Sequence, residues 1–299
     1  MGSGSNPTPT NPNPNAAPSS SFIEFTKLQG LGNDYIYIDG IAGPLPDDLP
    51  AFARRASDRH FGIGGDGVIA IVRGTRAPLR MRMWNADGSE SQMCGNGLRG
   101  FAKLVYERGY VDTEEFPVET LAGVLRPRVL LENGRVRRVR VDMGPPRFER
   151  GALPMTGDPN GRCIDEVLHV GGVEVRATCL SMGNPHCIIF TDDVTNAPVT
   201  TVGPAIENDP TFPERVNVSF VSVTNRRELV MRVWERGSGE TLACGTGACA
   251  AAVAAAVTGR ADRHVTVRLP GGELAIEWAD HVFMTGPTVE VFRGVYELA

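Results

Sequence analysis

Two cysteines in this chain, Cys94 and Cys244, stand in the same short context 150 residues apart. In "WNADGSESQMCGNGLRG" (84–100) and "WERGSGETLACGTGACA" (234–250) a Trp precedes the Cys by ten positions, a Glu precedes it by four, and Gly-x-Gly follows it. A Cys before Gly-x-Gly at the head of an apolar-periodic run reads as a strand-to-helix junction. The N–H groups of such a junction are uncovered, and with the helix dipole they attract an anion such as a carboxylate. The same field favours thiolate over thiol. Each copy is therefore expected to offer a carboxylate cradle and a thiol of lowered pKa.

Two such junctions facing each other across a cleft would hold the carbon next to a bound carboxylate between two sulfurs. One sulfur, as thiolate, takes a proton; the other, as thiol, delivers one to the opposite face. That inverts a stereocentre with no cofactor and no metal, whereas a single base tends to return the proton to the face it left. Elsewhere a free Cys behaves as a small buried hydrophobe. Cys163, Cys179, Cys187 and Cys249 lack the Gly-rich context and are read that way.

The elements that must position these residues also repeat. "FIEFTKLQG" and "DYIYID" alternate as strands do and are joined by "GLGN". "LPAFARRASDRHFG" has helical spacing, "GVIAIVRG" and "LRMRMWN" read as strands, and "GNGLRGFAKLVYERG" is a helix ending at Gly109. In the second half "SMGN" stands where "GLGN" stood, with Gly183-Asn184 at an offset of 151 from Gly32-Asn33. "VNVSFVSV" and "LVMRVWERG" follow as strands, then the Ala-rich helix after Cys244. Landmarks at a shared offset indicate a duplicated domain. The expected fold is α+β: two pseudo-symmetric halves, each a curved, mostly antiparallel sheet wrapped around a central helix, with the site in the cleft between them. The expected boundaries are 22–140 for the N-terminal half, completed by the strand 287–299, and 141–286 for the C-terminal half.

Composition narrows the class. A formal net charge of −5 with basic residues scattered along the chain leaves no basic face for nucleic acid or an anionic membrane. No apolar run reaches membrane-spanning length. Six cysteines without a CxxC argue for free thiols in a reducing cytoplasm rather than a disulfide framework or a zinc site. Residues 1–21, rich in Pro, Asn, Ser and Thr, carry no charge and nothing large to bury. They are expected to be disordered, and they lack the features of a signal peptide.

With these motifs assembled, the chain from Phe22 to Ala299 resembles the diaminopimelate epimerase family. The resemblance rests on "FTKLQGLGNDYIYID", "DRHFGIGGDG", "NADGSESQMCGNGLRG", "GNPHCIIF" with "ERVNVSF", and "WERGSGETLACGTGACAAA". It implies a cytoplasmic, cofactor-independent isomerase that interconverts LL- and meso-diaminopimelate for lysine and peptidoglycan synthesis, with Cys94 and Cys244 as the acid/base pair. It implies that Gly95-Asn96 and Gly245-Thr246 bind the carboxylate at the reacting centre. Asn33, Asn85, Asn184, Asn217, Glu235 and Arg236 would contact the substrate, and His186 and Glu235 would adjust thiol acidity. Gly67 stands where many members carry Gln, which removes a side-chain contact. Phe292 stands where the family often has Tyr at a dimer contact, and a homodimer is expected. The alternatives are a proline racemase or hydroxyproline epimerase on the same scaffold, which typically has His where Asn96 stands, and a non-catalytic amino-acid-binding module. The phenazine-biosynthesis relatives lack the cysteine pair.

Overall fold

The computed structural model describes residues 22–298, so the segment 1–21, expected to be disordered, lies outside the described residues. The chain forms two large sheets, one of eight strands and one of eleven, each curved around a 13-residue helix. Those helices, Gly95–Glu107 and Gly245–Val257, begin directly after the two motif cysteines. Pairing is antiparallel except at matching places in the two halves. Asn33–Asp39 runs parallel to Gly67–Arg73, as Pro185–Phe190 does to Asn217–Asn225. Leu79–Asn85 pairs in parallel with Val118–Thr120, as Glu228–Glu235 does with His264–Leu269.

Strand alternation explains how each sheet serves two layers. In the first half Tyr35, Tyr37, Ile69 and Ile71 point inward onto Leu98, Phe101 and Val105 of the central helix. Their neighbours Ile36, Ile38, Val68 and Ala70 point outward onto a second helix, Leu49–Ser57, through Phe52, Ala53 and Ala56. Each large side chain fully buried in this way stabilises the fold by about 1.5–3 kcal/mol. The second central helix is apolar all round, with Ala248 to Ala255 buried among Val233, Val267, Leu274 and Ile276. A helix enclosed by a sheet along most of its length needs no polar face there.

The second half has its own outer helix, Val199–Glu207, set 150 residues after Leu49–Ser57. It was not legible in the sequence, because Val199, Thr200, Thr201, Gly203 and Pro204 are poor helix formers. Tertiary packing overrides the propensity. A Cβ at Gly203 would stand 2.7 Å from Cβ of Trp234, so glycine is what lets the helix seat on that ring. Trp84 is buried with Phe52 and Ala53 in the matching position. The repeated Trp of the two motifs is thus a floor for the outer helices.

The halves are stitched together by exchanged segments. The last strand, Val289–Glu297, pairs with Phe22–Gly30 at the edge of the first sheet. The hairpin Arg128–Glu132/Arg135–Asp142 packs Val129, Val136, Val139 and Val141 against the first central helix, yet is hydrogen-bonded into the second sheet through Val282–Pro287. Leu31, in the turn after the first strand, is inserted into the core of the second half with 4% exposure. Its φ of +61° is an uncommon conformation for a bulky residue, and that insertion holds it there.

Candidate active site

A cleft of about 1150 Å³ opens between the halves, and both Cys-Gly-x-Gly junctions line it: Cys94, Gly95 and Asn96 from one side, Cys244, Gly245 and Thr246 from the other. Asn33, Asn85, Asn184 and Glu235 also line it. His186, Asn217 and Arg236 do not; they form the layer behind. His186 has no exposure and meets Oδ1 of Asn184 through Nε2 at 3.0 Å. Buried Asn217 donates to the Pro185 carbonyl at 2.8 Å and accepts the Arg236 backbone N–H at 3.0 Å. The Arg236 guanidinium donates to the Glu214 carbonyl at 2.9 Å. Burial, helped by the charge of Arg236, pushes the His186 pKa down to about 3, so its ring is neutral and orients Asn184 by hydrogen bonding rather than by charge.

Both cysteines stand at the N-caps of their helices, but their surroundings differ. Cys94 is half-buried; its Sγ accepts from the Gly97 N–H at 3.5 Å and lies 3.6 Å from the Tyr35 hydroxyl, which donates to it. The same sulfur, as thiol, donates to Oδ1 of Asn33 at 3.6 Å. That amide is fixed on both sides: Nδ2 donates to Asp66 at 2.6 Å, and Oδ1 accepts from Asn96 Nδ2 at 3.2 Å. The loop behind it is clamped by charge, with Asp34 2.7 Å from both buried Lys27 and Arg59.

Cys244 is 4% exposed, and its nearest polar neighbours are Oγ1 of Thr246 at 3.6 Å and the Glu235 carboxylate. Glu235 is itself held by the Thr241 hydroxyl at 2.6 Å. Burial and the negative charge of Glu235 push the Cys244 thiol well above its ordinary value. The expectation of a lowered thiol pKa is corrected at Cys244. Desolvation plus a neighbouring carboxylate outweigh Thr246 and the Gly247 N–H, which act the other way.

The second Gly of each motif sits in close quarters. A Cβ at Gly247 would stand 3.2 Å from Sγ of Cys244, and one at Gly97 would meet Cδ1 of Ile69 at 2.7 Å. Gly67 pairs with Asn85, and a Cβ there would collide with the Trp84 carbonyl. Sequence reasoning did not single out Tyr35, Asp66 or Met143 as lining residues. Tyr35, two positions after Asn33 on an inward-facing strand, carried a usable signal; Met143 reaches the cleft only through the exchanged hairpin. All six cysteines are free thiols. Among the described residues no group of His, Cys, Asp and Glu could hold a metal ion, and no helix is long and apolar enough to cross a membrane.

The family model described as diaminopimelate epimerase matches residues 25–149 and 178–291. A diaminopimelate epimerase of Moorella thermoacetica is 57% identical over 281 residues, covering 92% of this chain and all of that protein. Among solved structures, a Bacillus anthracis phenazine-biosynthesis protein superposes with a TM-score of 0.68 at 16% identity, covering 92% of this chain and 99% of its own. A hydroxyproline epimerase from Agrobacterium vitis gives 0.66 at 14%, covering 93% of each chain. At those identities the structural likeness is one of fold.

Proposed function

The chain belongs to the diaminopimelate epimerase family, and on that premise we propose that it interconverts LL- and meso-diaminopimelate by transferring protons between two thiols. The observation that carries the reading is the convergence of two Cys-Gly-x-Gly helix starts on one cleft. The substrate carboxylate at the reacting centre sits between the helix N-termini, on the N–H groups of Gly95-Asn96 and Gly245-Thr246. In the resting enzyme Cys244, buried beside Glu235, is the thiol that donates a proton. Cys94, with the Tyr35 hydroxyl and the Gly97 N–H aimed at its sulfur, is the thiolate that removes one. After turnover the roles are exchanged, and the reverse reaction begins from that state. The carbanion is planar, so opposed groups are what inversion needs.

Asn33, Asn85 and Asn184 supply oriented amides to the distal amino-acid head, and Arg236 supplies its cation once it leaves the Glu214 carbonyl. His186 and Asn217 act by orienting Asn184 and the Arg236 backbone. The residue pattern favours this substrate over proline, whose ring has no distal head to engage such a set. The boundaries 22–140 with 287–299, and 141–286, are proposed as the two functional halves. The reaction is proposed to serve lysine and peptidoglycan synthesis in the cytoplasm. The chain forms a homodimer through the edge strand Val289–Glu297, where Val289, Val291, Phe292 and Val295 are 45–63% exposed and Phe292 stacks edge-on against Phe25.

The test is incubation of LL-diaminopimelate with the protein in heavy water, without added cofactor, followed by mass spectrometry. Deuterium enters the α position, and Cys94→Ser/Cys244→Ser abolishes the uptake. No uptake by the wild type, or uptake by the double variant, would sink the mechanism; proline and hydroxyproline run in parallel separate the rival substrates.

A further inference from the structure

Arg99, five residues after Cys94 on the first central helix, has no solvent exposure. Its Nε donates to the Pro287 carbonyl at 3.1 Å, Nη1 lies 3.9 Å from Sδ of Met284, and Nη2 meets no protein acceptor. Among the described residues no Asp or Glu pairs with it. The guanidinium occupies a built space: a Cβ at Gly30 of the first sheet would stand 2.8 Å from Nη2, and one at Gly286 of the second would stand 3.1 Å from Cζ. Met284 in turn is wedged under both helix starts, with Cε 3.0 Å from where a Gly95 Cβ would be and Sδ 3.1 Å from a Gly245 Cβ. Arg99 thus lies beneath the floor of the cleft, in the seam between the halves.

A desolvated cation without a carboxylate, placed near two positive helix ends, is unfavourable by itself. The Pro287 carbonyl needs a donor there but not a charge. The titratable groups that face it are Cys94, Tyr37 and Cys249. Tyr37 is engaged as a donor to the Gly97 carbonyl at 2.9 Å, and Cys249 is a buried thiol on the second central helix. Burial pushes the Arg99 pKa down only to about 10, so it stays charged at neutral pH.

We propose that Arg99 is an electrostatic positioning residue, a permanent cation under the cleft floor that is compensated by the anions the reaction places above it, the Cys94 thiolate and the substrate carboxylate. In a desolvated seam its field is screened little, so it acts without touching either anion. Because the proposal rests on the proposed function, its primary test uses no substrate.

The rate of Cys94 alkylation by iodoacetamide, followed by peptide mass spectrometry across a pH series, gives the midpoint for thiolate formation. In Arg99→Met the midpoint rises by about one unit, and neutral-pH deuterium exchange falls about tenfold. Arg99→Lys, which keeps the charge, restores the midpoint to near the wild-type value. Arg99→Gln replaces Arg99→Met if the latter does not fold. An unchanged midpoint in the neutral variant, or a Lys variant that titrates like it, would overturn the proposal and leave Arg99 a packing role. A shifted midpoint in a protein that exchanges no deuterium would sustain the field of Arg99 while removing the epimerase reading.

Discussion

Replacing Gly247 by Ala places one methyl group 3.2 Å from both Cβ and Sγ of Cys244 and 3.4 Å from Cε of Met231. Carbon contacts are comfortable at about 3.5–4.0 Å, so the shortfall at the cysteine is about 0.5 Å. Met231 can yield at its flexible end. Cys244 stands at the N-cap with no capping hydrogen bond from its side chain, so its sulfur yields by moving, and that displaces it relative to the reacting carbon. A misplacement of about 1 Å costs about 100-fold in rate, and half of that costs about tenfold, or about 1.4 kcal/mol of activation free energy. Stability falls by about 0–2.5 kcal/mol, because Ala in a helix gains about 0.5–1 kcal/mol over Gly while the overpacking costs about 1–3 kcal/mol. The assay is kcat and KM for solvent deuterium incorporation, with Tm as the control; kcat falls and KM holds. Gly97→Ala is the comparison, since its Cβ would be 3.9 Å from Sγ of Cys94 but 2.7 Å from Ile69. It loses stability more than rate. A Gly247→Ala enzyme with wild-type kcat would refute the claim that thiol placement requires this glycine.

Three other outcomes follow from the geometry. Tyr35→Phe removes the hydroxyl donor 3.6 Å from Cys94, so the acid limb of the pH–rate profile moves to higher pH and the rate at neutral pH drops several-fold; an unmoved limb refutes the role. Glu207→Ala strands the Trp234 Nε1–H and Gly237 N–H, now bonded to that carboxylate at 2.7 and 2.9 Å. At about 1.5 kcal/mol each the loss is about 3 kcal/mol, or about 5 °C in Tm by calorimetry for a chain of this length, and a shift below about 1 °C contradicts it. Burial pushes the Cys249 thiol up from 9.0 to about 12. Its folded pKa is raised, so the associated stability is fully present below pH 9.0 and is lost as pH rises from there toward 12, by about 1.4 kcal/mol per pH unit. Urea midpoints of Cys249→Ala decline less steeply with alkaline pH than those of the wild type; parallel declines refute it.

The duplication was legible because its marks are local. Gly-x-Gly after a Cys, an Asn after a tight turn and a two-residue apolar period can each be read without knowing what lies across the fold. The helix Val199–Glu207 was not, because its residues prefer other structures and only the surface of Trp234 makes them helical. Asn33, Asn85, Asn184 and Glu235 reach the cleft from four turns or strand ends that the pattern already placed. His186, Asn217 and Arg236 share a second layer that no spacing distinguishes from the first.

The sequence by itself determined that there are two halves, that each starts a helix at a cysteine, and that the two cysteine motifs are paired. Those features are set by residues near one another along the chain. Only the tertiary structure decided that the pair is unequal. Cys94 is half-buried beside a hydroxyl from a neighbouring strand, and Cys244 is buried beside a carboxylate. It also decided that the hairpin Arg128–Glu132/Arg135–Asp142 bridges the sheets and that Arg99 sits uncompensated in the seam. The reason is physical: the acidity of a thiol and the cost of a buried charge depend on the solvent excluded and the charges brought near, and residues far apart in the chain decide both.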